Sequence, residues 1–244
     1  MAELDHDTRY RQRMHLPSRR AFVLCGAWLC CGLNAIAQSA APAGQAELEI
    51  AIADYESGRL DAARAAFEAL AARGVPAAEY NLGVMHLRGE VSLPDRTLAR
   101  QLLQRAAKSG FVTAQFALGQ AFENGDFGAR DLNAAMGWYE VAATSGSVEA
   151  QVAIGTGYYL GRGRKKDYAQ AARWYREAAK GGDVVAMYLL ASMYEAGDGV
   201  ARDLRLARYW YDAAARAGDD AAPGKVMEID AKLAVLPGAP TARP

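Results

Sequence analysis

The apolar positions of this chain fall into short stripes of helical spacing, and the stripes recur every 36 residues. Between Val148 and Leu160 (VEAQVAIGTGYYL), Ala150, Ile154 and Tyr158 are spaced by four with Ala153 and Gly157 beside them, which predicts one face of a helix. Tyr168 to Lys180 (YAQAARWYREAAK) sets Ala171, Trp174, Tyr175, Ala178 and Ala179 at i, i+3, i+4, i+7 and i+8, a second stripe. The polar break GRGRKKD separates the two. Asp167 closes that break, where a carboxylate accepts hydrogen bonds from the first free amides of a helix and suits its dipole. Gly182 follows the second stripe, where a chain leaving a helix turns through positive φ. One period therefore predicts an antiparallel helical hairpin.

The same marks stay in phase along the chain. Asp95, Asp131, Asp167 and Asp203 are 36 apart, as are Ala78, Ala114, Ala150 and Ala186, and Gly110, Gly146, Gly182 and Gly218. Gly89, Gly125, Gly161 and Gly197 keep the same step, and so do the pairs Trp138-Tyr139, Trp174-Tyr175 and Trp210-Tyr211. Self-similarity at this period marks a solenoid, in which each unit buries its apolar face by stacking on its neighbours. The fold expected is all-α, a right-handed α-solenoid of hairpins. Gly83, Gly119 and Gly155 fall inside the first helices, at about 1 kcal/mol each against alanine, so a close helix approach is expected there. The tryptophans are expected as wedges between hairpins, since such a ring removes roughly 150–250 Å² from water.

The pattern A-x-x-x-L-G-x-x-Y-x-x-G-x-G-x-x-x-D-x-x-x-A-x-x-W-Y-x-x-A-A-x-x-G, running from Pro76 to Asp219, resembles the Sel1-like repeat, a longer-looped relative of the tetratricopeptide repeat. The copies are 76–111, 112–147, 148–183 and 184–219. The first has Leu102 and Leu103 for Trp-Tyr and lacks the second loop glycine, the second has Phe122 for the tyrosine, and the fourth has Ala191 for the helix glycine. Residues 46–75 read as a shorter, tetratricopeptide-like hairpin after a linker at 38–45. Residues 220–235, with Met227, Ile229 and Leu233, read as a capping helix with a polar outer face, and 236–244 as a flexible Pro-rich tail.

Residues 1–37 change the picture of location. Arg19-Arg20, the apolar AFVLCGAWLCCGLNAIA and Ala35-Ile36-Ala37 before Gln38 read as an export signal cleaved near Ala37/Gln38, with Met14 as an alternative start. Ser18 to Leu24 (SRRAFVL) also resembles the twin-arginine motif, so the general and twin-arginine routes both stay open; either leads to a periplasmic or secreted protein. Cys25, Cys30 and Cys31 all lie in this segment, which removes a disulfide scaffold, and the short, interrupted apolar run predicts no stable membrane insertion after cleavage. The chain has 28 basic and 28 acidic residues; the five arginines and three acids of residues 1–37 leave 23 and 25, a balance that argues against nucleic acid as partner.

Catalytic constellations do not emerge. His86 is the single histidine after residue 37 and stands where later copies have Phe122, Tyr158 and Tyr194, a packing place; one histidine cannot build a metal site of the usual kind. No cofactor is expected, and the reading is non-enzymatic. Function is placed on surfaces instead. Tyr80, Phe116, Val152 and Tyr188 form one periodic row on the first helices, and Val84, Gln120, Thr156 and Ser192 a second; they read either as a concave groove for a protein partner or as side chains half-buried between hairpins. The loop bearing Arg162, Arg164, Lys165 and Lys166 is the densest positive cluster, either plainly solvated or a contact for an acidic protein surface, anionic glycan or lipid headgroup. The resemblance implies a scaffold or regulator: an envelope or polysaccharide-export component, or a restraint on a sensor kinase. Two alternatives stay open at this point, a peptidoglycan- or polysaccharide-associated binder with penicillin-interacting, hydrolase-like activity, and a secreted effector acting on host proteins.

Overall fold

The structure, a computed structural model, describes residues 41–235. The export segment with its alternative start at Met14, and the tail 236–244, lie outside the described residues. Along the chain those residues divide between Ser145 and Gly146 into two compact units. The first holds α1 (Ala41–Glu56), α2 (Leu60–Ala72), α3 (Pro76–Arg88), α4 (Arg96–Lys108), α5 (Val112–Asn124) and α6 (Leu132–Thr144). The second holds α7 (Val148–Leu160), α8 (Tyr168–Lys180), α9 (Val184–Ala196), α10 (Leu204–Arg216) and α11 (Ala222–Ala234). Helices pair as hairpins, α3 with α4, α5 with α6, α7 with α8 and α9 with α10, so the architecture is all-α and of the solenoid class. Helix α1 begins at Ala41, inside the stretch read as a linker.

Local chemistry sets these boundaries. Asp95 accepts from the amides of Thr97 and Leu98 at 2.7 and 3.1 Å, Asp131 from Ala134 at 2.9 Å, Asp167 from Gln170 at 3.0 Å, and Asp203 from Arg205 and Leu206 at 2.9 and 3.0 Å. In Asp95 the Leu98 and Thr97 amides hold the carboxyl below its usual range. Ser147 and Asp183 cap the first helices α7 and α9, bonds that the periodic marks did not single out. Each inter-helix loop is also stapled: the amides of Asp131, Asp167 and Asp203 donate to the carbonyls of Phe122, Tyr158 and Tyr194 at 3.0, 2.9 and 2.9 Å.

The helix glycines make room for a partner ring. A methyl group on Gly155 would lie 2.7 Å from Cδ1 and Cε1 of Tyr175, and one on Gly119 would overlap Tyr139. In the three Trp-Tyr pairs, Tyr139, Tyr175 and Tyr211 are accordingly fully buried, while Trp138, Trp174 and Trp210 are half-buried. In the second and third copies the ring set against the glycine of the first helix is the tyrosine, one step on from the tryptophan and about 100° around the helix.

Helix α11 ends the second unit in the register of a first helix. Ala222 and Ile229 stand 36 residues after Ala186 and Met193, and all four are inaccessible or nearly so. No second helix follows within the described residues, and Met227 is 75% exposed. Its place corresponds to Gly155 and Ala191, on the face that a second helix covers elsewhere. The outer face is therefore partly apolar and not the polar one expected. Charges help hold α11 in place: Arg208 pairs with Asp230, and Lys232 and Lys225 reach Glu195 at 2.7 and 3.6 Å.

Candidate interaction surface

First helices are enclosed more completely than one apolar stripe suggests. Helix α3 packs against α2 and α4, and Tyr80 and Val84 are both buried, Tyr80 with its ring centroid 5.5 Å from that of Phe111. Gln120 is buried, whereas Phe116 is half-buried with its ring 5.5 Å from Tyr139. In the second unit Val152 and Thr156 are buried, and the Thr156 hydroxyl lies 2.9 Å from the Tyr175 hydroxyl. Tyr188 is buried with its ring 5.0 Å from Tyr211, and Ser192 is half-buried. Six of the eight row residues are therefore spent on packing, and only Phe116 and Ser192 keep intermediate exposure. An open groove lined by all eight is not what their side chains form; the half-buried alternative describes them better.

Polar groups inside the hairpins act as clasps. The buried Glu79 pairs with Arg105, whose guanidinium also donates to the Ala71 carbonyl at 3.0 Å, and Gln115 donates to the Ala107 carbonyl at 3.1 Å. Tyr139 donates to Glu123 at 2.7 Å and Tyr211 to Glu195 at 3.1 Å. Burial pushes the Tyr175 and Tyr211 hydroxyls far above the usual phenol range, with the Glu195 charge adding to Tyr211, so both remain neutral.

His86 has a role that its aromatic counterparts do not. It is buried, and Nδ1 accepts the Asp95 amide at 3.1 Å. That side-chain bond takes the place of the amide-to-carbonyl staple of the other three loops. An accepting Nδ1 leaves the ring proton on Nε2. The signal available in the sequence was the coincidence of a histidine at the aromatic position with a loop lacking its second glycine.

In the second unit the basic loop leaves Lys165 and Lys166 exposed and Arg162 and Arg164 half-buried, with Lys166 5.5 Å from the Tyr168 ring centroid. The 197–203 loop lies against its far end: a Cβ on Gly199 would collide with the Tyr168 backbone, and the Tyr159 hydroxyl donates to Asp198 at 3.4 Å. Among the described residues no group of three or more His, Cys, Asp or Glu is placed to hold a metal ion. Nor is any of their helices long and apolar enough to cross a membrane.

The Sel1 repeat model matches residues 76–111, 112–147, 148–183 and 184–219. This chain belongs to the Sel1 repeat family. Sel1 repeat proteins generally act as protein-interaction modules. A Sel1 repeat protein from Oxalobacter formigenes superposes with a TM-score of 0.71 at 29% identity, over 78% of this chain and 78% of that one. A protective antigen present in uropathogenic Escherichia coli strains, displaying an SLR fold, gives a TM-score of 0.70 at 30% identity over 76% of this chain. The match spans 41% of that longer antigen. No functionally curated protein matches this Sel1 repeat chain.

Proposed function

We propose that this Sel1 repeat protein is an exported, non-enzymatic adaptor of the bacterial cell envelope that binds a protein partner along the exposed edges of its first helices. The observation that carries the reading is the fate of its recurrent polar groups. The periodic aspartates are helix caps, and the hydroxyls of Tyr139, Tyr175 and Tyr211 are inter-helix bonds, so the chemistry that recurs with the period is used to build hairpins. A partner is left the positions that this packing does not consume. Phe116 and Ser192 are the row residues with surface to offer, and Tyr80, Val152 and Tyr188 hold the backbone beneath them. Export rests on the signal-like segment ending at Ala37.

The test expresses the full chain with a C-terminal tag in a Gram-negative host, sequences the N-terminus of the fractionated protein, and captures partners from envelope extract. A periplasmic product starting at Gln38, with a defined protein retained by wild type and lost from a folded Phe116→Ala, Ser192→Ala variant, supports the adaptor. An unprocessed cytoplasmic product removes the envelope assignment. Hydrolysis of nitrocefin, or retention on peptidoglycan with no protein captured, replaces the adaptor with the wall-associated reading.

A further inference from the structure

Charge in the second unit is divided between its two ends of hairpin. At the loop end stand Arg162, Arg164, Lys165, Lys166, Arg202 and Arg205, against Asp167, Asp198 and Asp203. All three acids are engaged: Asp167 and Asp203 cap helices and Asp198 accepts from Tyr159. At the turn end, Lys180 and Arg216 are paired to Glu177 and Asp212 of their own helices at 2.9 and 2.5 Å, and Glu149, Asp183, Asp219 and Asp220 add negative charge. The loop end is also rigid: Gly163 and Gly199 hold φ of +63° and +68°, and the 197–203 loop is seated on the start of α8. Lys166 and Arg202 occupy the same place in successive repeats, so positive charge recurs along this edge at the repeat spacing. Lys165, Arg202 and Arg205 are exposed, and Leu206, 40% exposed, adds an apolar contact beside Arg205.

We infer that this loop edge docks an acidic, extended segment of a protein partner. A protein segment fits better than a bilayer: surface binding to membranes joins basic charge to several apolar anchors, and with Tyr168, Val200 and Leu204 packed against the core this edge offers Leu206 alone among its large aliphatic side chains. The inference rests on the adaptor reading and names a partner chemistry for it. It also predicts salt sensitivity, because exposed pairs are screened over about 8 Å at physiological ionic strength.

The probe is a fluorescent deca-glutamate peptide titrated into the full chain at low and physiological salt, beside phosphatidylglycerol vesicles. Three variants are compared: wild type, Lys165→Gln/Arg202→Gln/Arg205→Gln, and Lys180→Gln/Arg216→Gln, all checked by circular dichroism and Tm. Exposed ion pairs are worth about twofold each, so the triple loop variant is expected to bind about tenfold more weakly while the turn-end variant binds like wild type. Absence of deca-glutamate binding at low salt, or equal binding by the loop variant, overturns the inference. Binding to vesicles alone overturns it in favour of a membrane surface. Because the readout is the peptide, failure here leaves the envelope-capture result standing, and the two readings fall separately.

Discussion

Replacing Gly155 by alanine puts helix propensity and packing in opposition. Alanine is favoured over glycine in a helix interior by about 1 kcal/mol. Its methyl, however, would lie 2.7 Å from two ring carbons of Tyr175, which is fully buried. The ring has little freedom to retreat, because its hydroxyl is held by Thr156 at 2.9 Å. Overpacking of this kind costs roughly 1–3 kcal/mol, and the pinned ring places Gly155→Ala in the upper half of that range. The net expectation is a loss of about 1–2 kcal/mol, or roughly 2–8 °C in Tm for a chain of this size. The fourth copy supplies the control, since it carries Ala191 against Tyr211, whose hydroxyl bonds Glu195 at 3.1 Å. Ala191→Gly relieves no clash and is expected to lose about 1 kcal/mol through propensity alone. Thermal and urea denaturation followed by circular dichroism reads both changes. A Gly155→Ala protein that melts higher than wild type refutes the close-approach account.

Acid is expected to loosen α11. Burial raises the Glu195 carboxyl, but Lys232, Lys225 and Tyr211 outweigh it and leave the group below its usual range, while Lys232 and Lys225 lower Glu228 and Arg208 lowers Asp230. Groups with depressed folded values stabilise above the unfolded value near 4.5 and lose that contribution as pH falls through the folded one. Hydrogen exchange should therefore quicken in α11 before it does in α8 as pH drops below about 4.5; uniform exchange along the second unit would contradict this. Gly199→Ala should cost more than about 2 kcal/mol, since its φ of +68° and the Tyr168 backbone both exclude a Cβ, and a Tm within a degree of wild type would count against the seated loop. His86→Phe restores the aromatic of later copies and should cost less than His86→Ala, which loses about 2 kcal/mol through a cavity and an unbonded Asp95 amide. Equal Tm values for the two variants would dismiss the packing contribution of the ring at this position.

Helix boundaries were legible because they are written in residues with one local use. Asp167 as a cap and Gly161 at φ 72° stand where the spacing put them, and α7 and α8 span Val148–Leu160 and Tyr168–Lys180 as the stripes predicted. Burial of the first helices was harder to read. Counting Ala150, Ile154 and Tyr158 as the stripe left Val152 and Thr156 on an apparent outer face, yet from Val152 to Gly157 the helix carries no charge and every residue of that run is buried. The tyrosine-for-tryptophan exchange depended on which residue faces a glycine across the hairpin, a relation between two helices that neither sequence stripe contains. The His86 bond replaces a main-chain acceptor with a side-chain one, so no periodic mark announces it.

Because α11 repeats the register of α9, the seam between α10 and α11 uses the same residue positions as the seam between α8 and α9, with Ala222 and Ile229 standing in for Ala186 and Met193. The boundary is thus modular. A further 36-residue hairpin inserted there would meet on each side the neighbours its residues already fit, so the array can be lengthened in whole periods without redesigning the flanking helices. Evolution by duplication, and engineering by the same route, would lengthen the second unit one hairpin at a time.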